Sequence, residues 1–224
     1  MNSPTSKTIY LIRHGETDYN RKGIVQGSGV DADLNELGRA QAHSFYSFYR
    51  HIAFQKVYVS KLKRTYQSVR QFIEEAKLPF ESHVGLNEIS WGTKEGKMPN
   101  YLDDEYYKNL IHNWNSGNVT MSTDQGESPM DVRLRQMPVI DLILSRPEEE
   151  TVLVCMHGRA IRILLTTLLE KPLSEMDVFE HQNLCLYVLT YDYLKNTFTL
   201  ETANDTTHLL LMPVEELDEI HNPK

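Results

Sequence analysis

Two histidines in this sequence follow short apolar runs, and each of them is followed by glycine. The first run, TIYLI at 8–12, leads into Arg13-His14-Gly15, and the second, TVLVCM at 151–156, leads into His157-Gly158. Because ligands of open α/β sheets bind beyond the carboxyl ends of parallel strands, we expect both imidazoles to reach one edge of a sheet. An imidazole in such a place can act as a nucleophile or as a proton carrier.

A third apolar run, KVYVS at 56–60, brings a guanidinium group to the same edge. It leads into a basic stretch, in which Arg64 falls in the first turn of a predicted helix. The guanidinium groups of Arg13 and Arg64 suit the paired oxygens of a phosphate, and a helix that begins after Gly158 adds backbone N–H groups and its positive dipole end. Phosphate is therefore the favoured ligand, and His14 is the candidate nucleophile.

A proton donor is needed as well, because an alkoxide is a poor leaving group. A carboxylic acid suits this role. We choose Glu88, in the loop-like segment LNEISWGTKEG, and regard Glu95 and Glu16 as weaker rivals.

The elements that must position these residues alternate between β-rich runs and longer helical patterns. Besides the three runs above, we predict strands at 184–190 and 197–202, the second of them antiparallel because the link that joins them is short. Helices are predicted from near Asn35, over the apolar face of 62–76, from an N-cap at Ser128 toward Arg146, and over 160–169. This alternation predicts an α/β fold: a three-layer α/β/α sandwich around a mostly parallel sheet with one antiparallel strand.

The stretch at about 98–126 departs from the alternation. It shows no sheet period and is rich in aromatic residues, namely Tyr101, Tyr106, Tyr107 and Trp114. We interpret it as a helical or loop insertion in a single domain that spans 1–224. Its aromatic residues are as consistent with core packing as with a lid over a substrate.

Charge and composition narrow the choice of partners. The chain has 23 Lys+Arg against 31 Asp+Glu, a net charge of -8, so we do not expect the basic face that nucleic acid or an anionic membrane requires. No apolar run approaches the roughly 20 residues of a membrane span. Cys155 and Cys185 lie in apolar runs and are predicted to be buried thiols in a reducing compartment. We expect a cytoplasmic protein that acts on a small molecule, as a monomer or a homodimer.

Metal and cofactor chemistry has no motif of its own in this chain. Neither H-E-x-x-H nor paired C-x-x-C occurs, and the histidines outside the two strand ends are scattered. We therefore predict neither a metal site nor a cofactor.

Six segments stand together in an order that is known from one family. They are LIRHGETDYN at 11–20, DADLNELGRAQA at 31–42, SKLKRTYQS at 60–68, NEISWGTKEG at 87–96, GES at 126–128 and MHGRAIRILL at 156–165. With them, the sequence resembles the histidine phosphatase superfamily, the phosphoglycerate mutase-like proteins, over nearly its whole length. The resemblance implies the phosphoglycerate mutase-like fold and the phosphatase branch of the family.

Roles for individual residues follow from this resemblance. It implies that His14 is the phosphorylated nucleophile, that Glu88 gives a proton to the leaving group and then activates water, and that three further residues bind the phosphoryl group: Arg13, Arg64 and His157. Asn20, Gln26 and Gly27 match positions near the phosphate or substrate. The sequence departs from the family pattern at Thr65, Lys94 and Arg159, which bears on substrate preference rather than on the chemistry.

Three functions remain open at this stage. The first is a metal-independent, histidine acid-type phosphatase, a phosphoric monoester hydrolase that acts on a small phosphomonoester through a phosphohistidine. The second is a phosphoglycerate mutase with the same residues, which the short stretch between Glu88 and His157 disfavours by comparison with the family's mutases. The third is a non-catalytic phosphate-binding protein, which would need neither a nucleophile nor a proton donor.

Overall fold

A mixed sheet of six strands forms the centre of the molecule. The computed structural model describes residues 4–98 and 100–212, apart from the side chain of Leu102. The strands are β1 (Ser6–Arg13), β2 (Lys56–Val59), β3 (Phe80–Ser82), β4 (Thr151–Met156), β5 (Leu186–Asp192) and β6 (Thr197–Asp205). Their order across the sheet is β3-β2-β4-β1-β5-β6.

Strands β1 to β4 run parallel to one another, whereas β5 is antiparallel to both of its neighbours. The expectation of one antiparallel strand is confirmed, but that strand is β5 and not the predicted strand at 197–202. Strand β5 runs against β1, and the short link after it returns β6 to the direction of β1. In the register of β1 and β4, Arg13 pairs with Met156. The next residue of each strand, His14 and His157, therefore leaves the sheet at the same level.

Helices cover both faces of this sheet. They are α1 (Asp18–Arg21), α2 (Glu36–Tyr49), α3 (Lys63–Glu74), α4 (Tyr101–Asn115), α5 (Pro129–Leu144) and α6 (Gly158–Leu168). Buried side chains of α4, α5 and α6 pack on one face, and those of α2 and α3 pack on the other. Successive side chains of β4 point to alternate faces of the sheet. Val152 and Val154 pack on the first face, and Leu153 and Cys155 pack on the second. The predicted α/β/α sandwich is confirmed.

Local signals account for where the helices begin. The Asn35 side chain accepts a hydrogen bond from the Gly38 N–H at 2.8 Å and so caps α2. Ser128 caps α5 in a reciprocal arrangement with Asp131, and Pro129 occupies the first turn, as the sequence predicts. Helix α5 ends at Leu144, slightly earlier than expected.

Two strand predictions need correction. Strand β3 escaped sequence analysis because it has three residues, lies at the edge of the sheet and is half-exposed, so it carries no apolar run. The strand predicted at 184–190 begins at Leu186, since Leu184 adopts a φ of 55° and cannot continue an extended ladder.

The aromatic stretch at 98–126 contains α4 and the loop that follows it. Leu110 and Trp114 point into the core, and the Trp114 indole N–H donates to the Met121 carbonyl at 2.8 Å. Trp114 thus ties the loop to the helix. Cys155 and Cys185 are both buried free thiols. Over the described ranges, no helix is long and apolar enough to cross a membrane.

His208 makes the stability of the fold depend on pH. Its ring lies 5.0 Å from the Phe45 ring centroid in the core, and burial, partly opposed by Asp205, lowers the pKa of His208 from 6.5 to about 4. Because the unfolded chain takes up this proton at a higher pH than the folded protein, the contribution of His208 to stability is fully present above pH 6.5 and is lost as the pH falls toward 4.

We expect His208→Phe to flatten this dependence. As the pH is lowered, the free energy of unfolding, measured by urea denaturation at several pH values, should fall less in this variant than in the unmodified chain. The difference between the two falls should reach up to about 3 kcal/mol at the acid end. His51→Phe, which makes the same change at an exposed position, is the control. An unchanged acid loss in His208→Phe would show that this ring does not carry the effect.

Candidate active site

His14 is held with one ring nitrogen committed and the other available. Its Nδ1 atom lies 2.7 Å from the Gly15 carbonyl oxygen. Because a carbonyl oxygen can only accept, Nδ1 carries the proton and Nε2 keeps its lone pair. The side chain is 2% exposed, so packing restricts the ring to this orientation. His14 therefore has the tautomer that a nitrogen nucleophile requires.

The charge state of His14 also suits a nucleophile. Burial, together with the nearby Arg64 and Arg13, lowers the pKa of His14 well below its usual 6.5. Each of these effects disfavours the protonated ring. The imidazole is neutral at physiological pH and can offer its lone pair.

Gly15 is required by a close approach of two backbone segments. A Cβ atom at this position would lie 2.5 Å from the Gly38 carbonyl oxygen, at the start of α2. The Gly15 N–H donates to Ser68 Oγ at 2.9 Å, and that hydroxyl donates to the Arg64 carbonyl at 2.6 Å. These contacts dock the turn after β1 against α2 and α3.

Two buried guanidinium groups lie beside His14. Arg64 donates to the Val30 carbonyl at 2.6 Å and to the Gly27 carbonyl at 3.3 Å, and Arg13 lies 3.5 Å from Nδ1 of His181. Burial lowers the pKa of Arg64 to about 10 and lowers the pKa of Arg13 as well. Arg64 thus keeps its positive charge at neutral pH.

His157 faces His14 across the site. The two ring centroids are 5.1 Å apart, and His157 Nε2 lies 2.8 Å from the hydroxyl of Ser60, at the end of β2. Burial, followed by the effect of Arg64, lowers the pKa of His157 well below its usual range. Its Nδ1 atom is buried and has no hydrogen-bond partner among the described residues.

Unpaired buried nitrogens mark the place where an anion would bind. Besides His157 Nδ1, the Nε atoms of Arg13 and Arg64 are buried and lack partners within the described ranges. Unpaired buried polar groups each cost about 1–3 kcal/mol, and these three nitrogens leave hydrogen-bonding capacity for a ligand beside His14. Two positive charges at one sheet edge indicate a ligand with several anionic oxygens. A phosphoryl group fits this set.

Glu88 is the carboxylate of this site and is 7% exposed. Its Oε1 atom accepts the N–H groups of Ile89 and Ala160 at 2.9 Å each, and its Oε2 atom accepts the N–H of Arg159 at 3.1 Å. The last two donors belong to the first turn of α6. Glu88 is thus aimed by the same helix start that follows His157.

The two rival carboxylates are engaged in loop structure. Glu95 accepts N–H bonds from Gly29 at 2.7 Å and Trp91 at 2.8 Å, which join two loops beside the site. Glu16 pairs with Arg21 and accepts a bond from the Asn35 side chain. These contacts give both residues a holding role in the loops, whereas Glu88 is bound to the start of α6, directly after His157.

The other residues that the sequence singled out lie around this centre. Thr17 caps α1, Asn20 completes its capping box, and Gln26 Oε1 lies 3.0 Å from the Thr17 hydroxyl. Gly27 contributes its carbonyl to Arg64, and a Cβ at this position would lie 2.1 Å from the Glu95 carboxylate. Gly158 opens α6, where a Cβ would lie 2.8 Å from the His181 ring. The described residues contain no group of three metal-binding side chains.

Sequence analysis missed four residues that touch the catalytic groups. They are Ser60, Ser68, His181 and Asn183. Asn183 donates to the His14 carbonyl at 3.0 Å, and burial with Arg13 lowers the pKa of His181 to about 3, so a neutral ring faces that arginine. Ser60 stands at a strand end, which is the one signal that could have revealed it. Tertiary packing alone brings His181 to the site.

The fold and this arrangement of side chains define a family. The family model described as "Histidine phosphatase superfamily (branch 1)" matches residues 9–206, and the chain belongs to that superfamily.

Individual relatives are similar over most of their length. A Yersinia pestis protein named "Probable phosphoglycerate mutase GpmB" is 27% identical over 215 residues, which cover 93% of this chain and 98% of the relative. The solved structure of a mycobacterial glucosyl-3-phosphoglycerate phosphatase has a TM-score of 0.78 at 25% identity and covers 90% of this chain and 100% of that one. The α-ribazole phosphatase of Shigella flexneri, with a TM-score of 0.76 at 23% identity, shares the fold and covers 88% of this chain and 96% of its own.

Proposed function

We propose that this protein is a metal-independent phosphatase that hydrolyses a small phosphomonoester through a phosphohistidine at His14. The observation that carries the proposal is the bond from His14 Nδ1 to the Gly15 carbonyl, which leaves Nε2 as a neutral nucleophile beside two guanidinium groups. The mycobacterial relative, named as a phosphatase of a phosphorylated sugar acid, supports hydrolysis of a small molecule.

In the first step, Nε2 of His14 attacks phosphorus while the bond from phosphorus to the ester oxygen breaks. Arg13, Arg64 and His157 hold the phosphoryl oxygens. The positive charge of the two arginines and the N–H groups of all three residues stabilise the charge that develops on these oxygens. Glu88, protonated at this stage, gives its proton to the departing alkoxide. The products are an alcohol, an ionised Glu88 and phosphohistidine.

In the second step, water attacks phosphorus and the bond to Nε2 breaks. Glu88 accepts a proton from this water, which restores its acid form for the next cycle, and His14 returns to the neutral imidazole. Inorganic phosphate then leaves. The Gly15 carbonyl holds the Nδ1 proton throughout, so the ring need not change tautomer.

A phosphoglycerate mutase is the second candidate, because the Yersinia pestis relative carries that name. A mutase would use the same first step and then return the phosphoryl group to another hydroxyl of the substrate. Assays of phosphoglycerate for isomerisation and for phosphate release distinguish the two functions.

The role of His14 is tested by His14→Ala. Without a nucleophile, release of phosphate from p-nitrophenyl phosphate in the presence of a chelator should fall by at least about a thousandfold. His43→Ala, an exposed histidine on α2, is the matched control and should keep full activity. Phosphorylated protein recovered from His14→Ala would place the covalent intermediate elsewhere.

The role of Glu88 is tested by Glu88→Gln with two leaving groups. We expect hydrolysis of an alkyl phosphate to slow by about a hundredfold, whereas p-nitrophenyl phosphate, whose leaving group scarcely needs a proton, should slow by less than about tenfold. Glu95→Gln is the parallel variant at the rival carboxylate. If the selective loss occurs in Glu95→Gln and not in Glu88→Gln, the proton donor is Glu95.

A further inference from the structure

A cavity of about 370 Å³ opens next to the catalytic centre. The mechanism described above does not use it. It lies between the loop that carries Gln26, the segment after Glu88, and helix α4. A volume of this size matches a small organic group, since ligand pockets run from about 300 to 1,000 Å³.

Hydrogen bonds and short chain links connect the cavity to the proton donor. The Tyr107 hydroxyl, in the cavity wall, accepts a bond from the Arg159 guanidinium at 3.0 Å, and the Arg159 backbone N–H in turn donates to the Glu88 carboxylate. Trp91, also in the wall, follows Glu88 closely in the chain. The cavity therefore lies on the side of the site where the leaving group receives its proton.

Flat apolar surfaces form much of the wall. The ring centroids of Trp91 and Tyr107 are 5.6 Å apart at an angle of 59°, and Tyr106 stands beside them on α4. Val25 and Met98 add aliphatic surface. Rings in this arrangement favour the edges and faces of another planar group.

The charged side chains of the wall are balanced in sign and largely engaged. Two lysines, Lys94 and Lys97, stand against two aspartates, Asp103 and Asp104. Lys94 is bound to Asp103 at 2.6 Å, and Lys97 donates to the Thr93 carbonyl at 2.6 Å. The two lysines and two aspartates give the wall no net charge, and burying an anion against such a wall costs free energy, so the cavity suits an uncharged group better than a carboxylate.

We propose that this cavity binds the leaving group of the substrate, and that this group is an uncharged alcohol with a planar, apolar ring. The proposal rests on the phosphatase function above and specifies its substrate class. The ring lies among Trp91, Tyr106 and Tyr107, and the ester oxygen points toward Glu88. Phosphoglycerate, small and carboxylated, does not fit this class.

Three primary alkyl phosphates test the proposal on the unmodified enzyme. Naphthylethyl phosphate and ethyl phosphate both release a primary alcohol, and only the first carries an aromatic ring. Phosphoglycerate has no ring and carries a carboxylate. Since removal of an aromatic ring from water is favourable, kcat/KM for naphthylethyl phosphate should exceed that for ethyl phosphate by at least about tenfold. Phosphoglycerate should be the slowest of the three.

A pair of tyrosine variants on α4 locates the effect. Tyr106→Ala removes part of the wall and should bring the ratio of kcat/KM for naphthylethyl and ethyl phosphate toward one. Tyr101→Ala removes a tyrosine that is 74% exposed and outside the cavity, and should leave the ratio unchanged. A ratio that survives in Tyr106→Ala would place ring binding elsewhere and overturn the proposal.

The remaining outcomes separate this proposal from the phosphatase function. Suppose that p-nitrophenyl phosphate is hydrolysed through His14 but that kcat/KM for ethyl phosphate or phosphoglycerate equals kcat/KM for naphthylethyl phosphate. In that case the proposed substrate class is wrong and the phosphatase function stands. If the unmodified enzyme hydrolyses none of these esters, both fail. The comparison on the unmodified enzyme does not depend on whether Tyr106→Ala folds.

Discussion

The hydrogen bond between His14 Nδ1 and the Gly15 carbonyl is the contact on which the proposed chemistry of this protein depends. It selects one tautomer of a buried, neutral imidazole and leaves the other nitrogen able to act as the nucleophile that we propose. The bond needs a chain that turns sharply after β1. That turn is possible because Gly15 and Gly38 let the backbone of the loop approach the start of α2. A side chain at Gly15 would push the nucleophile out of place.

The same site concentrates positive charge in a buried place, and the rest of the fold has to offset the free-energy cost of burying it. Burial of Arg13 and Arg64 lowers the pKa of both groups, and the arginines in turn help to keep His14 and His157 neutral. Backbone carbonyls at Gly27 and Val30 offset part of the cost for Arg64. Among the described residues of the site, unpaired buried nitrogens remain on Arg13, Arg64 and His157, and they suit a phosphoryl group. These unpaired nitrogens lower the stability locally, and a bound ligand would complete their hydrogen bonding.

Much of this arrangement could be predicted from the sequence. The strand–His–Gly junctions of β1 and β4 are local signals, and the rule that ligands bind at the carboxyl ends of parallel strands brings His14 and His157 together. Their partners are harder to predict. The three N–H groups around Glu88, and the contact of His181 with Arg13, depend on tertiary packing and leave no periodic pattern. Strand β3 was missed for a similar reason, since a short edge strand has no apolar run.

The stereochemical course at phosphorus tests the covalent mechanism most directly. An alkyl phosphorothioate made chiral at phosphorus with two oxygen isotopes, hydrolysed in water labelled with the third isotope, gives a chiral thiophosphate and so reports how many displacements occur at phosphorus. Attack by His14 followed by attack by water gives two inversions, so we predict net retention of configuration in the released thiophosphate. Net inversion would mean that water attacks the ester directly, and would contradict a phosphohistidine at His14.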